Sequence, residues 1–101
     1  MKKTIDDRQL MNTVQKILNR DWDPIEVAEV LNDEYDAYCA PITQILDDIQ
    51  ATEQHLSNYL EEVEREEMSL NTYSEQNLRR RATTTQSLWK LHISTHTLTN
   101  T

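Results

Sequence analysis

The chain of 101 residues contains no glycine and only two prolines, at 24 and 41. Tight hairpins need residues that accept positive φ without a steric penalty, and glycine is the usual supplier. Turns here must use Asn, Asp, Ser and Thr, which suits helices joined by short connections and disfavours a hairpin-rich sheet. The same absence removes chemistry, because a phosphate-cradling P-loop or a dinucleotide fingerprint needs glycine for close backbone approach. With 37% hydrophobic residues, the chain is expected to form one small domain with a modest core.

Hydrophobic spacing predicts an all-α, compact bundle of four to five short helices. Leu10, Met11, Val14, Ile17 and Leu18 make one face of a first helix over residues 6–19, closed at Asn19. Asp23-Pro24-Ile25-Glu26 reads as a helix N-terminus, with Asp23 as cap, Pro24 at the first helical position, Glu26 completing a capping box and Trp22 as staple. That second helix is expected to stop near Asn32. Tyr35, Tyr38, Cys39, Ile42, Ile45, Leu46 and Ile49 form a stripe about 120° wide on a third helix, Glu34 to Gln50. An interior proline costs roughly 3 kcal/mol. The stripe keeps phase across Pro41, so one helix kinked there is expected, with Pro41 opening a new helix as the alternative.

Thr52 is a cap candidate for a fourth helix whose inner face holds Leu56, Tyr59, Leu60, Val63 and Leu70, ending at Asn71. Ser74 then caps a fifth helix to Leu91, carrying Leu78, Ala82, Leu88 and Trp89, although residues 88–93 alternate enough to suit a strand. Residues 1–91 are expected to be the domain and 92–101 a frayed tail.

The formal charge of −8 is unevenly spread. Residues 1–20 carry five basic and two acidic side chains, residues 21–75 one basic and 16 acidic, and residues 76–101 four basic and none acidic. Such a middle section repels nucleic-acid phosphate and attracts a basic protein surface, unless its carboxylates are only a solvated face. Glu61, Glu62, Glu64, Glu66 and Glu67 surround Arg65, and their mutual repulsion must be offset by burial elsewhere or by a partner. Arg79-Arg80-Arg81 is a weak nucleic-acid signal, better explained by pairing with the acidic middle.

The stretch Asp21–Tyr38 combines a tryptophan, two tyrosines and seven carboxylates with no basic residue. Its Trp22-Asp23-Pro24-Ile25-x-Val27 and Asp33-Glu34-Tyr35-Asp36-x-Tyr38 motifs, continued through Leu60 and Glu64-x-Glu66-x-Met68-x-Leu70, resemble a family of small bacterial helical proteins without an assigned activity. The resemblance covers about half the chain and implies an all-helical fold in a bacterium. Members of that family often carry glycine where this chain has Glu26, and again near Ser69.

Catalytic and metal-binding patterns are weak throughout. Asp21, Asp23, Asp33, Glu34 and Asp36 could hold a hard cation, but their spacing lacks the Gly and terminal Glu of a calcium loop, and caps plus a solvated face explain them. His92 and His96 stand at i, i+4 without the glutamate of a zinc protease motif, and His55 borders its helix's inner stripe. Cys39 cannot form an internal disulfide; on the apolar stripe it is expected to be inert packing. Met1-Lys2-Lys3 runs directly into Thr4-Ile5-Asp6-Asp7, unlike a secretory leader, so a cytoplasmic location is expected. No apolar run approaches the roughly 20 residues of a membrane span.

The expected function is an acidic protein-binding module, an immunity or antitoxin-type inhibitor that neutralises a basic toxin such as a nuclease. No enzyme activity, metal or cofactor is expected. The expected partner-binding residues are Asp33, Glu34, Tyr35, Asp36, Tyr38, Asp47, Asp48, Glu61, Glu62 and Glu64, because tyrosine among carboxylates suits the grip of Lys and Arg. Two alternatives stay open: a metal-dependent enzyme using the Asp21–Asp36 carboxylates, and a homo-oligomer whose basic C-terminal segment docks on a neighbour's acidic middle.

Overall fold

A computed structural model of the chain describes residues 7–26 and 33–96. Its four α-helices are α1 (Asp7–Ile17), α2 (Cys39–Asp47), α3 (Glu53–Glu62) and α4 (Glu75–His96), and the described residues include no strand. The all-α bundle is therefore the fold. Helix α4 packs along α3 and α2, and α1 lies against α2. The core between them is built from Leu10, Val14, Leu18, Trp22, Tyr35, Ile42, Leu46, Leu56, Leu60 and Leu88.

Turns without glycine use polar side chains as expected. Thr52 and His55 form a reciprocal capping box at the start of α3, the His55 N–H donating to Thr52 Oγ1 and the Thr52 N–H to His55 Nδ1. Ser74 Oγ accepts from the Asn77 N–H at the start of α4. Asp48 and Asn71 each accept a backbone N–H two residues on, closing the turns that leave α2 and precede α4.

Two α-helices end in widened turns that residue spacing did not announce. Helix α1 does not close at Asn19; it passes into a π-helical turn, Leu18–Trp22, and α3 passes into another, Val63–Glu67. The first extra turn carries Trp22 fully into the core, where its Nε1–H donates to Glu64 on the second, at 2.9 Å. Burying a tryptophan with its N–H satisfied outweighs an orderly helix end. Asp23 is consequently not the cap of a second helix. It is left-handed (φ 31°), its N–H donates to the Leu18 carbonyl, and Pro24 to Glu26 form a turn with Glu26 also left-handed (φ 57°). The rest of the expected second helix, 27–32, lies outside the described residues.

A 3₁₀ turn, Asp36–Tyr38, leads directly into α2, so Pro41 sits in the first turn of the α-helix. There its missing N–H costs nothing, and the change of helix type takes the place of an interior kink. Tyr35, Cys39, Ile42 and Leu46 are buried as the stripe requires, but Ile49 is 62% exposed because the chain turns away at Asp48.

Helix α4 departs furthest from expectation. It continues through His96, so residues 92–96 are not a tail, and residues 88–93 are helical; 97–101 lie outside the described residues. Its inner stripe is Arg81, Thr84, Thr85, Leu88, His92 and Thr95, while Leu78 and Ala82 face outward. Polar side chains are tolerated inside because most are satisfied. Thr84 and Thr95 hydroxyls donate to carbonyls four residues back, leaving methyl groups to pack. His92 Nδ1 and His96 Nε2 both donate to the Leu46 carbonyl, at 3.0 and 2.7 Å, capping the C-terminus of α2. No described helix is long and apolar enough to cross a membrane.

Candidate protein-binding groove

The acidic run Glu61 to Glu67 is sorted by its geometry into inner and outer carboxylates. Glu64 is 1% exposed. It accepts from Trp22 Nε1 and, at 2.8 Å, from Arg81, itself 5% exposed; Arg81 also donates to the Thr72 carbonyl and stands 3.8 Å from Glu61. Burial pushes the Glu64 carboxyl above the ordinary range, against the opposing pull of Trp22 and Arg81. Glu64 is thus a structural group and not the partner-binding residue expected.

On the other side of the same turn, Glu62, Glu66 and Glu67 line a groove of about 320 Å³ with Tyr38, Tyr59, Ala37 and Val63. An adjoining hollow of about 400 Å³ shares Tyr59 and Glu62 and runs between α2 and α3 past Ile45, with Asp48 and His55 also in its wall. Tyr38 and Tyr59 are half-buried, and neither hydroxyl is hydrogen-bonded to another described residue. Burial, joined by Glu67 and Glu34 for Tyr38 and by Glu62 and Glu67 for Tyr59, pushes both phenols upward. They remain protonated donors. Arg65 pairs with Glu61 and Glu66, whereas Glu62 and Glu67 have no ion pair among the described residues.

The expected site residues therefore divide. Tyr38 and Glu62 meet in the groove, and Asp48 borders the hollow. Asp33 and Glu34 are exposed, Glu34 close enough to influence Tyr38. Asp36 is exposed and accepts from Gln15 at 2.7 Å. Asp47 is half-buried, and Glu61 is half-buried between Arg65 and Arg81. Tyr35 does not belong to the surface: it is 1% exposed, stacked obliquely on Trp22, and its hydroxyl donates to Asp23 at 2.6 Å while accepting from the Ile25 N–H. Tyr59, Glu66 and Glu67 were absent from the expected set. For Glu66 and Glu67 the signal was the Glu61–Glu67 run, whose outer members cannot be chosen without the π-turn, whereas Tyr59 was expected on the inner face of its helix and is only half-buried.

Each arginine of the 79–81 cluster pairs with a carboxylate of the acidic middle section, as anticipated, but only the Arg81 pair is buried. Arg80 meets Glu26 at 3.3 Å and Arg81 meets Glu64, while Arg79 pairs with Glu75 on its own helix. The Asp21–Asp36 carboxylates serve separate contacts: Asp21 with Arg20, Asp23 with Tyr35 and Asp36 with Gln15. Among the described residues no three His, Cys, Asp or Glu side chains gather as a metal site. Cys39 is buried, and burial pushes its thiol up to about 11, so it is not a nucleophile near neutral pH. Comparison with protein-family models, curated proteins and solved structures finds no match, so the functional reading rests on the groove itself.

Proposed function

We propose that this chain is an acidic protein-binding module whose groove, Tyr38 and Tyr59 beside Glu62 and Glu67, grips cationic side chains of a basic protein. The finer form of the reading is an immunity or antitoxin-type inhibitor acting in the cytoplasm on a toxin such as a nuclease. A nuclease presents cationic groups where it binds phosphate, and a carboxylate surface competes for them. The observation that carries the reading is two half-buried tyrosines beside two carboxylates, the hydroxyls without a hydrogen-bond partner and the carboxylates without an ion pair among the described residues. Such a slot offers cation–π contact and charge-assisted hydrogen bonds together.

Affinity capture from the source organism tests it, using wild type beside a Tyr59→Ala/Glu62→Gln/Glu67→Gln variant. Wild type is expected to retain one strongly basic protein, with retention falling steeply as salt shortens the Debye length from about 10 Å to a few Å. Equal retention by the variant would remove the groove from the reading.

A further inference from the structure

A second cavity lies away from the groove and gathers three arginines. A cleft of about 700 Å³ separates the π-turn Leu18–Trp22 from the start of α4, and Arg20, Arg79 and Arg80 line it with Gln76, Thr83 and the carboxylates of Asp21 and Glu75. Gln76, Arg79, Arg80 and Thr83 fall at i, i+3, i+4 and i+7, one polar stripe of α4 distinct from its core stripe. The cleft shares no residue with the acidic groove.

Each guanidinium is positioned by contacts that leave part of it uncommitted. Arg20 donates from Nε and Nη2 to the two oxygens of Asp21, both at 2.8 Å, and Asp21 is tied to α4 by the Ser87 hydroxyl at 2.7 Å. Nη1 of Arg20 has no hydrogen-bond partner among the described residues. Arg80 is held by the Pro24 carbonyl and by Glu26, each at 3.3 Å, through its two terminal nitrogens, leaving Nε. Arg79 pairs with Glu75 where both side chains are mostly exposed, 74% and 87%. Exposed pairs of this kind are weak and exchange readily for a better acceptor. The side chains of Gln76 and Thr83 make no hydrogen bond to another described residue.

Planar guanidinium forks match tetrahedral oxyanions, and a dianion competes for them better than the single charge of Glu26 or Glu75. We propose that this cleft binds a phosphate-type oxyanion, free or as the ester of a small molecule, between Arg20 on the π-turn and Arg79 and Arg80 on α4. The site is independent of the groove and of its basic partner. The volume leaves room for the organic part of an ester.

Titration of the wild-type protein with inorganic phosphate, pyrophosphate and phenyl phosphate, at ionic strength held constant with chloride, tests the proposal. In ¹H–¹⁵N spectra the Nε–H signals of Arg20 and Arg80 are expected to shift saturably, and that of Arg65, outside the cleft, to stay. A response to phenyl phosphate identifies an ester as acceptable; a response to the two inorganic ions alone identifies a free-anion site. Arg79→Gln/Arg80→Gln should weaken binding about tenfold or more, while Arg65→Gln leaves it unchanged. Shifts equalled by chloride, or uniform across Arg20, Arg65 and Arg80, overturn the site without touching the groove.

Discussion

Glu64 and Glu62 stand two residues apart in one acidic run, yet one is a buried strut and the other an open surface charge. Glu64 reached the interior because Arg81 and Trp22 Nε1 arrive there with matched donors. Glu62 faces Tyr59 and has no cation among the described residues. The difference teaches that charge density along the chain says little about function until its internal partners have been removed. What is left over is the part available to another molecule.

The sharpest way to break this comparison is to take Arg81 away. Arg81→Met leaves a buried, uncompensated carboxylate, and should cost about 3–5 kcal/mol in denaturant unfolding. Because burial already disfavours the charged Glu64, replacing both members, Glu64→Leu with Arg81→Met, should recover most of that loss or exceed wild type. A single substitution costing under about 1 kcal/mol would place Glu64 with the surface carboxylates instead.

Tyr35 offers the next largest contrast, an inner phenol against the outer Tyr38 and Tyr59. Its hydroxyl joins Asp23 and the Ile25 N–H, holding the left-handed turn after the π-helix, so Tyr35→Phe should lose about 1.5–3 kcal/mol. Tyr38→Phe, whose lost hydroxyl has no hydrogen-bond partner among the described residues, should stay within about 0.5 kcal/mol. Comparable losses in thermal or denaturant unfolding would erase the distinction.

His92 is another inner titratable group. Burial first, and then neighbouring His96, depresses its pKa below 6.5, against the Leu46 carbonyl and Asp48. The folded state therefore favours neutral His92. Its contribution to stability is complete above the unfolded value near 6.5 and is lost as pH falls from there through the depressed folded value. Melting temperatures across this range should decline on acidification, and His92→Gln should flatten the decline; an equal slope in the variant would assign it elsewhere.

Much of this architecture was legible. Helical spacing located α1, α2 and α3, and the want of glycine forecast polar turns such as Thr52–His55 and Asp48. The π-turns were not legible, since their reward is a contact between Trp22 and Glu64 separated by 42 residues. The inner face of α4 was hidden for a related reason: Arg81, Thr84 and His92 look like surface residues until Glu64, the Arg80 carbonyl and the Leu46 carbonyl supply their partners. Of the site, Tyr38 and Glu62 could be named from composition, but separating them from Tyr35 and Glu64 needed the fold.

Ser69, just beyond the second π-turn, sharpens the same comparison from the backbone side. It is exposed with φ 53°, a conformation glycine adopts without the Cβ penalty. Ser69→Gly should raise stability by several tenths of a kcal/mol, the relieved strain exceeding the added freedom of the unfolded chain. Unchanged or lower stability would mean that the turn is held by Ser69 itself, and not by the Leu70 N–H bond to the Glu64 carbonyl.

The smallest stability effect belongs to the groove. Glu62→Gln with Glu67→Gln removes two charges that lack an ion pair among the described residues, so unfolding should change by no more than about 0.5 kcal/mol, with a slight gain from reduced repulsion. If the groove steers a basic protein, the same pair should slow its association and flatten the dependence of that rate on salt. Stability and association thus respond in opposite order to inner and outer carboxylates. Glu62 and Glu67 count toward binding because folding makes so little use of them, and a large loss of stability on their neutralisation would return them to the structural group with Glu64.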